Sequence, residues 1–348
     1  MEQGDQRYDF ASDNTAGICP EAWEALAAAN RGAAASYGLD PWTSQLCDRV
    51  RQIFETDCEV YLVFNGTAAN ALTLAQVGQP YHSIVCHQYA HIQTDECGAP
   101  EFFTNGSKLL AMGGANGKID LTEAGAVVAR QCDLHSHKPR VVSLTQATEL
   151  GTVYDRDEVA AVVEFARARD LLVHMDGARF ANALVTLDCA PKAMTWQAGV
   201  DALSFGGTKN GLAAGELVVF FRKELAAEFE YRAKQAGQLA SKMRFLAAPW
   251  HALLSNDLWL RQARHANAAA ARLAEQLQSR VGWSAEFPVE SSALFLRLPD
   301  PLVACLRERG WQFYKFLEPD IYRLMCSWAT TDDQIDQFVQ DAVALPPR

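Results

Sequence analysis

The chain has 348 residues, of which 49% are apolar, and a formal net charge of −11. That is enough apolar material for a large core, and it points to two domains rather than one. The acidic balance, with no basic block, argues against nucleic acid as a partner. No apolar run approaches a bilayer span, so no membrane partner is expected, and MEQGDQRYDF lacks a signal-peptide pattern. Nine cysteines are scattered without a C-x-x-C pair or a Cys/His ligand spacing. They read as reduced thiols of a cytoplasmic protein, most of them small core residues, with no metal site.

Residues 1–16 read as an arm. Its Ser12-Asp13-Asn14 is either a helix lead-in or a segment that crosses a binding site. Pro20 opens a helix that closes at Arg31-Gly32, with proline in the first turn and glycine past the end. Gly38 and Pro41 mark a loop, and Tyr37 within it is a packed aromatic or a hydroxyl donor to a ligand. Residues 59–64 read as a strand, followed by Asn65-Gly66-Thr67-Ala68-Ala69-Asn70 and a helix. A strand, a glycine turn and a helix start can form an anion site, or simply a capped turn. Residues 83–86 form a strand, and His87 and His91 after it are surface residues or catalysts. Residues 105–118 read as a loop-rich crossing, 120–130 as a helix, 140–145 as a strand and 157–168 as an amphipathic helix. This alternation is the pattern of a doubly wound α/β layer.

The stretch 171–215 organises the chain. One apolar run ends in Asp176-Gly177-Ala178-Arg179, and a second, 202–205, ends in Gly206-Gly207-Thr208-Lys209-Asn210-Gly211. Short apolar runs closed by glycines read as buried parallel strands, and ligands sit outside the carboxyl ends of such strands. Asp176 and Lys209 then face one crevice. Pyridoxal phosphate (PLP) needs a lysine for its Schiff base and an acid to keep its pyridine nitrogen protonated; an ordinary ion pair at a sheet edge is the competing reading. Beyond Lys209, residues 216–221 read as a strand turning back and 222–243 as a charged helical stretch. Pro249-Trp250 marks a boundary between a large domain, 17–248, and a smaller α+β domain, 249–348. The smaller domain holds helices at 257–279, 300–309 and 332–342 and strands at 293–298 and 321–326. Arg323 lies inside its last strand, where a buried guanidinium is costly unless it meets an anion.

Taken in order, Ser12-Asp13-Asn14, Tyr37-Gly38, Asn65 to Asn70, His91 with Glu96, His174 to Arg179, Phe205 to Gly211 and Tyr322-Arg323-Leu324 span nearly the whole chain. In this order and spacing the chain resembles the low-specificity L-threonine aldolases; the L-phenylserine aldolases look very similar. The resemblance implies an α/β, PLP-dependent transferase-like fold of type I. It also implies retro-aldol cleavage of L-threonine, L-allo-threonine and related L-3-hydroxy-2-amino acids to glycine and an aldehyde. By position, it makes Lys209 the Schiff-base lysine and Asp176 the partner of the pyridine nitrogen. His91 stacks on the ring and is the leading base candidate. Gly66 and Thr67 cradle the phosphate, with Thr208 nearby. Arg179, which also borders the cofactor, holds the substrate carboxylate together with Arg323 and Ser12. Tyr37, toward the substrate, and Arg244, toward the cofactor, reach a neighbouring subunit's site, as does Lys234, so a homo-oligomer is implied, with a dimer as the catalytic unit in a tetramer. One departure stands out. Many members carry a second histidine in an Asn-Thr-His-Asn segment, where this chain has Gln146-Ala147-Thr148-Glu149. An L-phenylserine substrate, or another reaction on this fold such as aminotransfer or β-elimination, remains an alternative.

Overall fold

A computed structural model describes residues 6–131 and 133–345. Its centre is a seven-stranded sheet in the order β1-β7-β6-β5-β4-β2-β3. The strands are β1 (Glu59–Val63), β2 (His82–His87), β3 (Lys108–Met112), β4 (Lys138–Thr145), β5 (Leu172–Gly177), β6 (Ala202–Phe205) and β7 (Glu216–Phe220). Neighbours from β6 through β5, β4 and β2 to β3 run parallel, and β7 is antiparallel to both β1 and β6. Every residue of β2, β5, β6 and β7 is buried. Helices cover both faces, and the continuous apolar runs are the imprint of that double burial. Because β7 runs backwards, its first residue, Glu216, joins the same edge as the carboxyl ends of β1, β2, β4, β5 and β6.

A second, antiparallel sheet has the order β8-β10-β9, from β8 (Ala293–Arg297), β9 (Tyr314–Leu317) and β10 (Ile321–Met325). Tyr322 and Leu324 face a core shared with the helix Asp332–Val343. Ile321 and Met325 face the other way, onto Leu150 beyond β4, and Arg323 shares that register. The arm is stitched to this smaller sheet: the Arg7 N–H donates to Gly310 O at 2.8 Å and the Met325 N–H to Phe10 O at 2.9 Å. Phe10 is fully buried against Trp311 and Phe338. The following residues, Ser12 to Asn14, are thereby delivered to the edge of the large sheet.

Several elements differ from the sequence reading, among them β9, which it did not include. Pro41 does not mark a loop; it is the first residue of the helix Pro41–Phe54, whose N-cap Asp40 accepts from Thr43 N. The 105–118 crossing contains β3, an edge strand with one neighbour and alternating exposure. Of 222–243, only Phe229–Gln235 is α-helical. Pro249-Trp250 is no break, since it lies inside the helix Arg244–Leu253. Trp250 is fully buried in the large core, and its Nε1–H donates to Gly215 O at 2.8 Å. The long helix Leu258–Val281 spans both cores, with Trp259 and Ala263 in one and Leu273 and Leu277 in the other. No helix among the described residues is long and apolar enough to cross a membrane.

Trp250 also props the lysine-bearing turn. A Cβ on Gly207 would stand 2.4 Å from the Trp250 ring, and one on Gly206 2.4 Å from the Ala178 carbonyl oxygen. Both positions must be glycine for the turn to sit this close to β5 and the helix. Trp250→Ala is expected to destabilise the apoprotein by ~3–5 kcal/mol, seen as an earlier midpoint in urea unfolding; an unmoved midpoint would show that the indole supports nothing.

Candidate active site

The carboxyl edge of the large sheet opens into two adjoining cavities. The inner one, about 270 Å³, is lined by Gly66, Thr67, Asn70, His91, Asp176, Thr208, Lys209 and Glu216, among others. The outer one, about 670 Å³, is lined by Ser12, Glu149, Arg179 and Arg323. Asn14, His91 and Lys209 belong to both walls. Lys209 lies on a short 3₁₀ turn, Thr208–Asn210, anchored where Asn210 Nδ2 donates to Trp259 O at 2.9 Å. Glu216 Oε2 accepts the Gly207 N–H at 2.5 Å. Burial pushes the Glu216 carboxyl up, against the pull of its bonds from Thr208 and Gly207. The Thr208 hydroxyl therefore already has a partner.

Asp176 ends β5 and is 3% exposed. Its Oδ1 accepts the Ala178 N–H at 3.0 Å, and its Oδ2 accepts from Asn70 Nδ2 at 2.9 Å. The same amide donates to Glu96 Oε1 at 2.8 Å, and that oxygen lies 2.8 Å from His91 Nδ1. One amide therefore joins the two acids, with the histidine at the far end. Burial works against the charge on His91, but the bond to Glu96 and the nearby Asp176 and Glu149 raise its pKa. Beneath this chain, His174 is buried between Ser143 at 2.9 Å and Ser204 at 3.0 Å. Burial lowers its pKa to about 4, so it is neutral and wedges β5 between β4 and β6.

In the outer cavity the arm makes the strongest contact. Arg179 Nε donates to Asp13 Oδ2 at 2.7 Å and Nη2 to Oδ1 at 3.0 Å, a two-pronged pair with both residues buried. Burial opposes the Asp13 charge, yet Arg179, with Lys209 and Arg323 further off, holds the carboxyl below its ordinary 3.8. The arm thus occupies the Nε and Nη2 edge of the guanidinium, and Arg179 still lines the cavity. Arg323 differs: its Nε is buried with no hydrogen-bond partner among the described residues, and the guanidinium carbon lies 5.2 Å from the Phe316 ring centroid.

Tyr37 and Arg244 line neither cavity of their own chain. Tyr37 is 49% exposed, with the Lys234 ammonium 4.6 Å from its ring centroid. Arg244 begins its helix and reaches Gly32 O at 3.4 Å.

With this geometry in place, comparison with known proteins is direct. Residues 9–297 match the beta-eliminating lyase family. The chain is 53% identical to a low specificity L-threonine aldolase of Pseudomonas aeruginosa, with 97% of each chain covered. A second low specificity L-threonine aldolase, from a Pseudomonas species, is 50% identical, covering 98% of this chain and 99% of that one. The solved structure of a Leishmania major threonine aldolase superposes with a TM-score of 0.90 at 26% identity, covering 97% and 98%.

The chain belongs to the beta-eliminating lyase family.

Within this lyase scaffold, the sequence reading missed three parts of the site. Asn70 was read as part of a turn, although a polar side chain among Ala68, Ala69, Ala71 and Leu72, all buried, signals a tertiary partner. Glu96 enters the sequence reading only beside His91 and without a role, whereas it bonds both Asn70 and His91. Asp13 carried no local signal, because Arg179 lies 166 residues away.

Asp13→Asn leaves a buried guanidinium without its counter-charge, which costs roughly 3–5 kcal/mol in lyase stability at neutral pH. Since the folded-state pKa of Asp13 lies below its ordinary 3.8, the pair's contribution is present above that value and is lost as pH falls through the folded one. Urea midpoints of wild type and variant are expected to differ widely at pH 7 and to converge in acid below 3.8. A constant gap across that range would mean that Asp13 carries no charge linkage.

Proposed function

We propose that this protein is a PLP-dependent aldolase that cleaves L-threonine, L-allo-threonine and related L-3-hydroxy-2-amino acids to glycine and an aldehyde. The observation that carries this reading is the meeting of Lys209 and Asp176 on one inner cavity, with a half-buried Arg323, its Nε without a partner among the described residues, in the wall of the outer one. The residues fit the cofactor. Lys209 is the amine to which it attaches. Asp176 offers a buried carboxylate bonded only by neutral donors, suited to a protonated ring nitrogen. Gly66 starts a 12-residue helix, and a Cβ there would meet nothing within 4 Å. That open helix start, with the Thr67 hydroxyl, suits a phosphate. When bound, the cofactor supplies the electron sink for carbon–carbon cleavage.

The chain's own residues do the rest. His91, turned by Glu96 and lining the inner cavity, would cover the ring. Arg323 holds the substrate carboxylate through charge-assisted bonds, with Ser12 beside it. Arg179, bound to Asp13, supplies positive field and fixes the arm. Tyr37 and Arg244 serve a neighbouring copy's site, which makes a dimer the catalytic unit, assembled into a tetramer; their position outside both cavities supports this. The arm ends at residue 16, and the division between large and small domains falls within the helix Leu258–Val281 rather than at residue 249. The eight described cysteines are free, which favours a cytoplasmic setting.

Borohydride reduction of the cofactor-loaded protein, followed by peptide mapping, is expected to label Lys209, and Lys209→Ala to abolish turnover. Label on another lysine would overturn the assignment. Release of glycine and acetaldehyde from L-threonine with no keto acid present separates this reading from aminotransfer. Arg323→Ala is expected to raise KM by ~10–100-fold, the value of a charge-assisted hydrogen bond, and an unchanged KM would remove it from the carboxylate site.

A further inference from the structure

The outer cavity holds two buried polar atoms that need opposite things. Arg323 Nε has no acceptor, and Glu149 Oε1 has no donor. Both residues line the same wall, and the charge of Glu149 is felt by Arg323, Arg179 and His91. Neither guanidinium bonds it: Arg179 turns Nε and Nη2 to Asp13, and Arg323 Nε is left bare. A buried polar atom without a partner costs free energy, and it marks a place where a ligand completes the pairing.

We propose that Glu149 accepts the hydrogen bond of the substrate's β-hydroxyl and is the residue that selects hydroxylated amino acids. The proposal rests on the aldolase reading and deepens it. An ionised carboxylate accepts and cannot donate. Once a substrate's carboxylate lies on Arg323 and its nitrogen is turned toward Lys209, the hydroxyl is its remaining donor. Three aliphatic hydroxyls of this wall are already engaged. The hydroxyls of Thr15 and Thr94 donate to backbone carbonyls, and that of Ser12 to Asp13. His91 faces Glu96 at 2.8 Å through Nδ1 and Asp95 at 3.7 Å through Nε2. The Nδ1 side of the imidazole is thereby committed to Glu96. Asp95 itself is 83% exposed and solvated.

The segment's other side chains explain why the task falls to Glu149. Gln146 is fully buried and exchanges both of its bonds with Tyr154. Thr148 is buried and bonded to Thr152. Of Gln146-Ala147-Thr148-Glu149, only Glu149 reaches the cavity.

The test is ligand binding rather than turnover. Cofactor-loaded wild type, Glu149→Ala, Glu149→Gln and Asp95→Asn are mixed rapidly with L-serine, L-alanine or glycine, and dissociation constants are read from the amplitude of the cofactor's absorbance change. Wild type is expected to bind L-serine more tightly than L-alanine. Glu149→Ala is expected to reduce that preference by about 10- to 100-fold with L-alanine and glycine little affected. Glu149→Gln, which keeps an acceptor oxygen, retains part of it. A preference unchanged in both Glu149 variants, or lost in Asp95→Asn instead, would overturn the proposal. So would parallel weakening of all three ligands, which would make Glu149 a support for Arg323. A wild type that binds none of the three sinks the aldolase reading, and this proposal with it; one that binds them with an unaltered ratio in the variants sinks this proposal alone.

Discussion

Asp176 is a buried carboxylate whose bonded partners are an amide and a backbone N–H. Neutral donors offset only part of the cost of holding such a charge away from water. On the reading proposed here a protonated ring nitrogen adds a direct charged partner. Much of the local structure serves to keep that carboxylate in place. His174 and its two serine partners pack β5 between its neighbours. Asn70, held on a buried helix, ties the acid to Glu96 and through it to His91. The group that carries the charge and the group that would cover the ring are thereby set by one continuous hydrogen-bonded chain.

The outer cavity follows the same logic with the signs exchanged. Two arginines stand in one small space, and the arm neutralises one of them. Asp13 arrives there because Phe10 is buried in the smaller core and Arg7 is stitched to the loop before β9. Arg323 then stands without a paired acid of its own for an incoming carboxylate, beside the edge of Arg179 that Asp13 leaves unbonded. Selectivity in such a space comes from what is left unpaired as much as from what is bonded.

The strands of the large sheet and their ligand-facing ends were legible because double burial leaves uninterrupted apolar runs that stop at glycines. The runs ending at Asp176 and before Lys209 fall on β5 and β6, and both residues line the inner cavity. Edge elements were not legible. β3 and β9 alternate or lack burial, so nothing in their composition separates them from loop. Pro41 and Pro249 misled for opposite reasons. The first is a helix start announced by Asp40; the second sits in a helix held by packing around Trp250, which overrides the local preference. The Asp13–Arg179 pair and the Asn70 bridge are products of tertiary structure, joining residues more than a hundred positions apart.

The claim about Asp176 can be met with a single comparison. Apoprotein is titrated by equilibrium dialysis with pyridoxal phosphate and with its 1-deaza analogue, in which the ring nitrogen is replaced by C–H. A buried carboxylate waiting for a protonated nitrogen should favour the natural cofactor by ~10–100-fold, the worth of one charge-assisted hydrogen bond, and Asp176→Asn should erase most of that difference. Equal affinity of the wild-type protein for the two compounds would contradict it.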